Sequence, residues 1–206
     1  MRDDRFGLLS FPLQFKRDTS NDLLDPISGG RLSLRLIPYY ETFGTKERFL
    51  KNYASYSHYF QLAEKPFLTL AGRSALGVIF GADRDRIAAD ERFYAGGGGS
   101  IRGYEYQSVG PLRKNEPIGG RSLFELSVEL RVKVTNNFGL VTFCDGGSAF
   151  SSVIPDWGET LRWGAGLGLR YYTRIGPLRF DVGFPLNRRE KIDDPFQFYV
   201  SIGQAF

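Results

Sequence analysis

Among 206 residues there is one cysteine, one histidine and one methionine, and no apolar run approaches the roughly 20 residues that a membrane-crossing helix needs. Each scarcity excludes something. Cys144 alone cannot form an internal disulfide and carries no information on redox compartment. His58 alone supplies neither a Ser-His-Asp triad nor a histidine-based metal site, and it reads as an ordinary strand residue. The first residues, Met1-Arg2-Asp3-Asp4-Arg5, are charged and lead into no apolar signal core. An exported protein would need such a leader, so the chain is expected to be a fragment of a longer one. The net charge of +4 is dispersed among interleaved acids and forms no basic stripe for nucleic acid. Linkers, low-complexity tails and signs of a second domain are also lacking.

In abundance are phenylalanine, tyrosine and glycine, at 18, 11 and 25 residues, a mixture that favours strands over helices. Periodicity supports this, because a strand sends alternate side chains to opposite faces. Phe124, Leu126, Val128, Leu130 and Val132 oppose Glu125, Ser127, Glu129 and Arg131. Leu161, Trp163, Ala165, Leu167 and Leu169 oppose Arg162, Gly164, Gly166, Gly168 and Arg170. Leu178, Phe180, Val182 and Phe184 oppose Arg179, Asp181 and Gly183. In the last segment Phe196, Phe198, Val200, Ile202 and Phe206 share one face, with Gln204 as its polar exception. Weaker strands are expected at about Phe6–Lys16, Arg31–Tyr40, Phe49–Leu62 and Phe67–Phe80, and a mixed one at Phe138–Phe150, giving nine. The second face mixes glycine with charges of both signs, as in a packed polar barrel interior, while the first is large and apolar, as against lipid. A soluble β-sandwich is the alternative on pattern alone. Tight turns at Thr135-Asn136-Asn137 and Ile175-Gly176-Pro177, set against long connections at Arg17–Gly30, Gly81–Arg121, Ser151–Glu159 and Asn187–Asp194, suggest the two unequal rims of an outer-membrane barrel. An odd strand number suggests an incomplete sheet.

The densest feature is Phe93-Tyr94-Ala95-Gly96-Gly97-Gly98-Gly99-Ser100-Ile101-Arg102-Gly103-Tyr104. Four consecutive glycines remove every Cβ, so the backbone can bend sharply and pass close to other structure. From the residues alone, Arg102 is either a solvated loop cation or one that folds inward onto an acid. No Lys-Ser/Thr pair and no helix follows the glycines, so they do not make a phosphate loop. Glu125 and Glu129 are a carboxylate pair, but the charges of Arg131, Arg170 and Arg179 on the same faces favour a structural network over acid–base work. No catalytic constellation emerges, and neither a cofactor site nor a metal site is expected.

The stretch Gly97-Gly98-x-Ser100-Ile101-Arg102-Gly103-Tyr104 resembles the signature loop of the Omp85 superfamily, the bacterial surface antigen family. Within it, the likeness runs toward the translocation-and-assembly-module (TamA) branch. Ser127-Val128-Glu129-Leu130, Val141-Thr142-Phe143-Cys144-Asp145-Gly146-Gly147, Ile175–Asp181 and Phe196–Phe206 resemble family strands in the right order. The resemblance implies an all-β fold: the C-terminal part, about nine strands, of an antiparallel sixteen-stranded transmembrane β-barrel, with the first strands and the periplasmic POTRA domains lying upstream. It implies that loop 81–121 folds into the lumen and that Arg102 pairs with the acidic wall partners Glu129 and Asp145. Alternation agrees for Glu129, whereas Asp145 shares its face with apolar Val141 and Phe143. It implies that Phe198, Ser201, Gly203 and Phe206 form the seam strand and C-terminal assembly signal, the closing aromatic sitting at the membrane interface. The implied role is a non-enzymatic assembly or translocation factor in a Gram-negative outer membrane. Its implied partners are outer-membrane lipid, client outer-membrane proteins or autotransporters, and a periplasm-spanning protein. A passive barrel, serving as a pore, a two-partner secretion transporter or an anchor for an enzyme domain, is the other reading.

Overall fold

The structure, a computed structural model, describes residues 7–43 and 47–206; Met1–Arg5 and the expected strand start at Phe6 lie outside the described residues. The first pass across the sheet comes in two pieces, β1 (Gly7–Ser10) and β2 (Leu13–Asp18), both paired with β3 (Gly29–Phe43). The break falls at Phe11-Pro12, because proline offers no N–H to a ladder; the Phe11 N–H instead reaches Pro38 O at 3.2 Å. Next come β4 (Arg48–Glu64) and β5 (Phe67–Phe80), then a short ribbon of β6 (Leu112–Arg113) and β7 (Glu116–Pro117) set apart from the main sheet. The sheet resumes with β8 (Ser122–Lys133), β9 (Phe138–Phe150), β10 (Arg162–Thr173), β11 (Gly176–Pro185) and β12 (Gln197–Ile202). Every pairing is antiparallel between neighbours, an up-and-down order with nine passes.

Burial inverts the pattern of a soluble protein. On β8 the charged Glu125, Glu129 and Arg131 are buried while Val128 is exposed. On β9 Asp145 is buried and Leu140 exposed, and on β11 Asp181 is buried and Phe180 exposed. On β12 Val200 is 71% exposed. An apolar outside around a charged inside is stable only where the outside meets lipid. Cys144 also faces outward and is exposed, not packed inside the sheet.

Two sequence expectations need correction. Segment 17–30 lies at the same rim as the turns after β4, β8 and β10, not opposite them. In an antiparallel order, connections alternate between rims, and this one has the parity of the short turns. Asp22 Oδ1 accepts the Leu24 and Asp25 N–H groups at 2.8 Å each, and Asn21 Oδ1 accepts those of Ile27 and Ser28, which compacts the segment. The sheet is curled enough that Leu24 O, beside β2, accepts the Gln204 N–H beyond β12 at 3.1 Å. The second correction concerns Phe206. The last strand stops at Ile202, Gly203 adopts φ +88°, and the chain turns inward. Phe206 therefore stacks on the buried Tyr59, with ring centroids 6.5 Å apart and the Arg131 guanidinium 5.4 Å away. It does not share the outer face with Phe198, Val200 and Ile202.

Candidate functional site

Residues 81–121, between β5 and β8, fold back into the concave side of the sheet. Two single-turn 3-10 helices, Arg84–Arg86 and Ala89–Glu91, open the excursion, and isolated bridges Phe93↔Gly120 and Ala95↔Val109 tie it to itself. Its apolar side chains supply much of the protein's core: Ile87, Phe93, Ala95, Ile101, Tyr104 and Val109 pack with Tyr39, Phe49, Ile79 and Leu123 from the strands. A first anchor lies near the loop's start. Glu91 accepts the Tyr39 hydroxyl at 2.5 Å and the Lys51 ammonium at 3.2 Å, from β3 and β4. Replacing Glu91 with Ala should loosen this end by on the order of 1–2 kcal/mol. The check is a several-fold faster protease cleavage around 84–92 with the strands still protected.

The glycine run then makes a turn, Ser100 N–H donating to Gly97 O at 3.0 Å, with Gly96 and Gly97 at φ +105° and +101°. Side-chain-bearing residues rarely adopt that conformation, which gives these two glycines their reason. Arginines from opposite walls reach the turn's carbonyls: Arg73 Nη1 donates to Gly99 O at 3.2 Å and Arg179 Nη2 to Gly98 O at 2.8 Å. Ser100 donates its hydroxyl to Glu125, which also accepts Arg73 Nη2 at 3.3 Å. Glu125 and Glu129 thus serve separate partners.

Arg102 is 1% exposed, and every guanidinium nitrogen has an acceptor. Nε and Nη2 fork onto Asp145 at 2.7 and 2.9 Å, while Nη1 meets Glu129 at 2.6 Å and Asp181 at 3.0 Å. The Arg102 N–H also donates to Asp145 Oδ2 at 3.1 Å. Burial pulls its pKa down, but the hydrogen bond to Asp145 and the surrounding carboxylates outweigh that and hold it above the ordinary arginine value. The cation lies 3.5 Å from the centre of the Phe143 ring, so the apolar residue that obscured Asp145's face in the sequence is a platform for the same arginine. The carboxylates are shared with Arg131, which reaches Glu129 at 2.8 Å, and with Arg170, which reaches Asp181 at 2.5 Å. All three acids are engaged by cations, and no metal-holding cluster of His, Cys, Asp or Glu occurs among the described residues.

The loop backbone is seated as closely as its charge. A Cβ on Gly164 of β10 would lie 1.8 Å from Arg102 O, and one on Gly183 of β11 would lie 2.6 Å from Gly103 N. Gly103, at φ +102°, rests on the Phe184-Pro185 backbone. Tyr104 is fully buried and donates its hydroxyl to Asn187 Oδ1 at 2.8 Å. Of the residues singled out in the sequence, Gly97, Gly98, Ser100, Ile101, Arg102, Gly103, Tyr104, Glu129 and Asp145 come together here. Phe198 faces outward, Ser201 pairs with Arg179 on β11, and Gly203 donates its N–H to Pro177 O at 2.8 Å near the rim. Asp181, Phe143, Glu91 and the Gly164–Gly183 seat were not singled out. For Asp181 the signal existed, since alternation placed it on the inner face of β11; Glu91 lies in an aperiodic loop that gives none.

Residues 2–206 match the Omp85 superfamily domain. The outer membrane protein assembly factor BamA of Nitratidesulfovibrio vulgaris is 30% identical over 208 residues, covering 94% of this chain and 25% of the relative. A SAM50-like protein of Schizosaccharomyces pombe is 24% identical, covering 88% of this chain and 41% of its own length. Among solved structures, BamA from Haemophilus ducreyi lacking POTRA domains 1–3 superposes with a TM-score of 0.74 at 20% identity, over 92% of this chain and 41% of that one. CdiB from Acinetobacter baumannii gives 0.60 at 16% identity, over 91% and 31%. The chain spans about a quarter of the length of the BamA relative.

Proposed function

The chain belongs to the Omp85 superfamily, and from that premise we propose that it is the seam-bearing, C-terminal part of an outer-membrane barrel that assembles or translocates client β-proteins. It resides as an integral component of a Gram-negative outer membrane. The observation that carries the reading is the asymmetry of β12. One edge of this strand pairs with β11; the other is unpaired with any described strand, as is the outer edge of β1 and β2. Unpaired backbone groups cannot be left in hydrocarbon, so further strands complete the barrel, with periplasmic POTRA domains preceding them. When the seam beside β12 opens, its edge offers main-chain groups to an incoming client strand by strand addition. The loop around Arg102 braces the inner wall meanwhile, and no cofactor is required. The relatives named as assembly factors support this role over catalysis. The narrower placement in the TamA branch, with autotransporter clients and a periplasm-spanning partner, rests on the signature residues.

A photo-crosslinking residue at Phe198, on β12, tests this directly in cells. Adducts with newly made outer-membrane proteins are expected, together with a several-fold fall in outer-membrane barrel abundance on depletion. An unchanged outer-membrane proteome without adducts would instead fit a passive pore, a two-partner transporter or an anchor.

A further inference from the structure

We propose that Tyr199 is a latch through which the seam strand and the signature loop report on each other's position, an inference that rests on the seam reading above. Tyr199 is an inward residue of β12. Its hydroxyl accepts the Gly103 N–H at 3.0 Å and donates to Tyr104 O at 2.8 Å, so one oxygen clamps both ends of the Gly103-Tyr104 dipeptide that follows Arg102. Its ring lies against the glycine turn, where a Cβ on Gly98 would come within 2.8 Å of the ring. The wall acids that hold Arg102 lie on β8, β9 and β11, and none lies on β12. The seam strand therefore touches the signature through Tyr199.

This geometry makes the coupling all-or-none. Among the described strands β12 pairs with β11 alone, over the ladder from Leu178↔Ile202 to Gly183↔Gln197, while the Gln204 N–H just beyond it is held at the rim by Leu24 O. Gly103 sits on the β11 backbone at Phe184-Pro185 and cannot follow β12 outward without leaving that seat. If β12 swings away, both Tyr199 hydrogen bonds break, and the Gly103 N–H and Tyr104 O are left unpaired in a closed interior, which is costly. With the loop docked, the latch resists opening; with β12 displaced, the loop is freer to lift. Such coupling must be equal in both directions.

Hydrogen-exchange mass spectrometry on the whole protein in lipid nanodiscs tests it. In Tyr199→Phe, which keeps the ring, peptides covering 96–104 and 197–202 should both exchange about tenfold faster. If Tyr199→Phe behaves as the unaltered protein and only Tyr199→Ala exchanges faster, the ring matters for packing alone and the latch is overturned. Acceleration confined to one of the two peptides overturns it equally. Should Tyr199→Phe not fold, a disulfide between V182C and F198C, register partners on β11 and β12, with Cys144→Ser, should slow exchange in the loop; an unchanged loop overturns the proposal. The readout needs no client. Coupled exchange without client adducts at Phe198 would sink the assembly reading alone, and adducts without coupled exchange would sink the latch alone.

Discussion

Replacing Arg102 with Ala is expected to leave Glu129, Asp145 and Asp181 without the cation they share, and to destabilise the folded protein by about 3–5 kcal/mol. Part of that loss is the vanished ion pairs. The larger part is the charge left behind, because three carboxylates on β8, β9 and β11 then repel one another in a site that water enters poorly. Arg131 and Arg170 remain beside Glu129 and Asp181, so the site does not collapse entirely, whereas Asp145 loses its guanidinium fork and keeps only the backbone N–H of residue 102. Lysine should restore less than half of the loss. Its ammonium is a point charge, and it cannot address Asp145 through two parallel bonds while also reaching Glu129 and Asp181. Charge reversal by Glu129→Lys should be at least as damaging, since it places a fourth cation beside Arg102, Arg131 and Arg170. The measurement is the unfolding midpoint of the barrel in detergent or lipid, read with the exchange of residues 96–104. Normal assembly and an unmoved loop in Glu129→Lys would remove the structural role assigned to Arg102.

The distribution of what could be read in advance follows from where periodicity exists. Strands β8, β10, β11 and β12 alternate, so the side of each residue is legible there: Glu129 inward, Val128 outward, Arg179 and Asp181 together; β9 is mixed and leaves Asp145 ambiguous. Parity is legible too, and strand count puts segment 17–30 at the rim of the short turns, although its length alone points to the other rim. Phe206 was misplaced because extending the alternation past Ile202 assumes a strand, and Gly203 at φ +88° ends it. The docking of the loop could not be derived from any local rule. Glycine runs are compatible with many paths, and only the wall of Asp145, Glu129 and Asp181, drawn from residues 129 to 181, selects one. Alternation puts Glu129 and Asp181 on inner faces, but that they and Asp145 meet at Arg102 is not contained in any spacing; the family resemblance implies it for Glu129 and Asp145 alone. The anchor at Glu91 and the clamp at Tyr199 join segments that share no sequence pattern.

Glycines 164 and 99 give the sharpest contrast available, because neither substitution touches a charge. Gly164 lies on the inner face of β10 under the loop, and an alanine methyl there would sit 1.8 Å from Arg102 O. The strand cannot yield without disturbing its ladders to β9 and β11, so the loop must rise by more than an ångström. The Arg102 bonds to Asp145 and Glu129 are 2.6 to 3.1 Å long and do not survive such a shift intact. Gly164→Ala is therefore expected to reproduce the Arg102→Ala phenotype, on the order of 3 kcal/mol lost and rapid exchange across 96–104. Gly99 belongs to the four-glycine run itself, yet a methyl there meets nothing within 4 Å, and Gly99→Ala should fall within about 0.5 kcal/mol of the unaltered protein. If the two variants behaved alike, the loop would be held by its charges alone and would tolerate a wide range of heights above the sheet. A large effect at Gly164 with none at Gly99 means that the glycine wall of β10 and β11 sets the depth at which the arginine meets its acids.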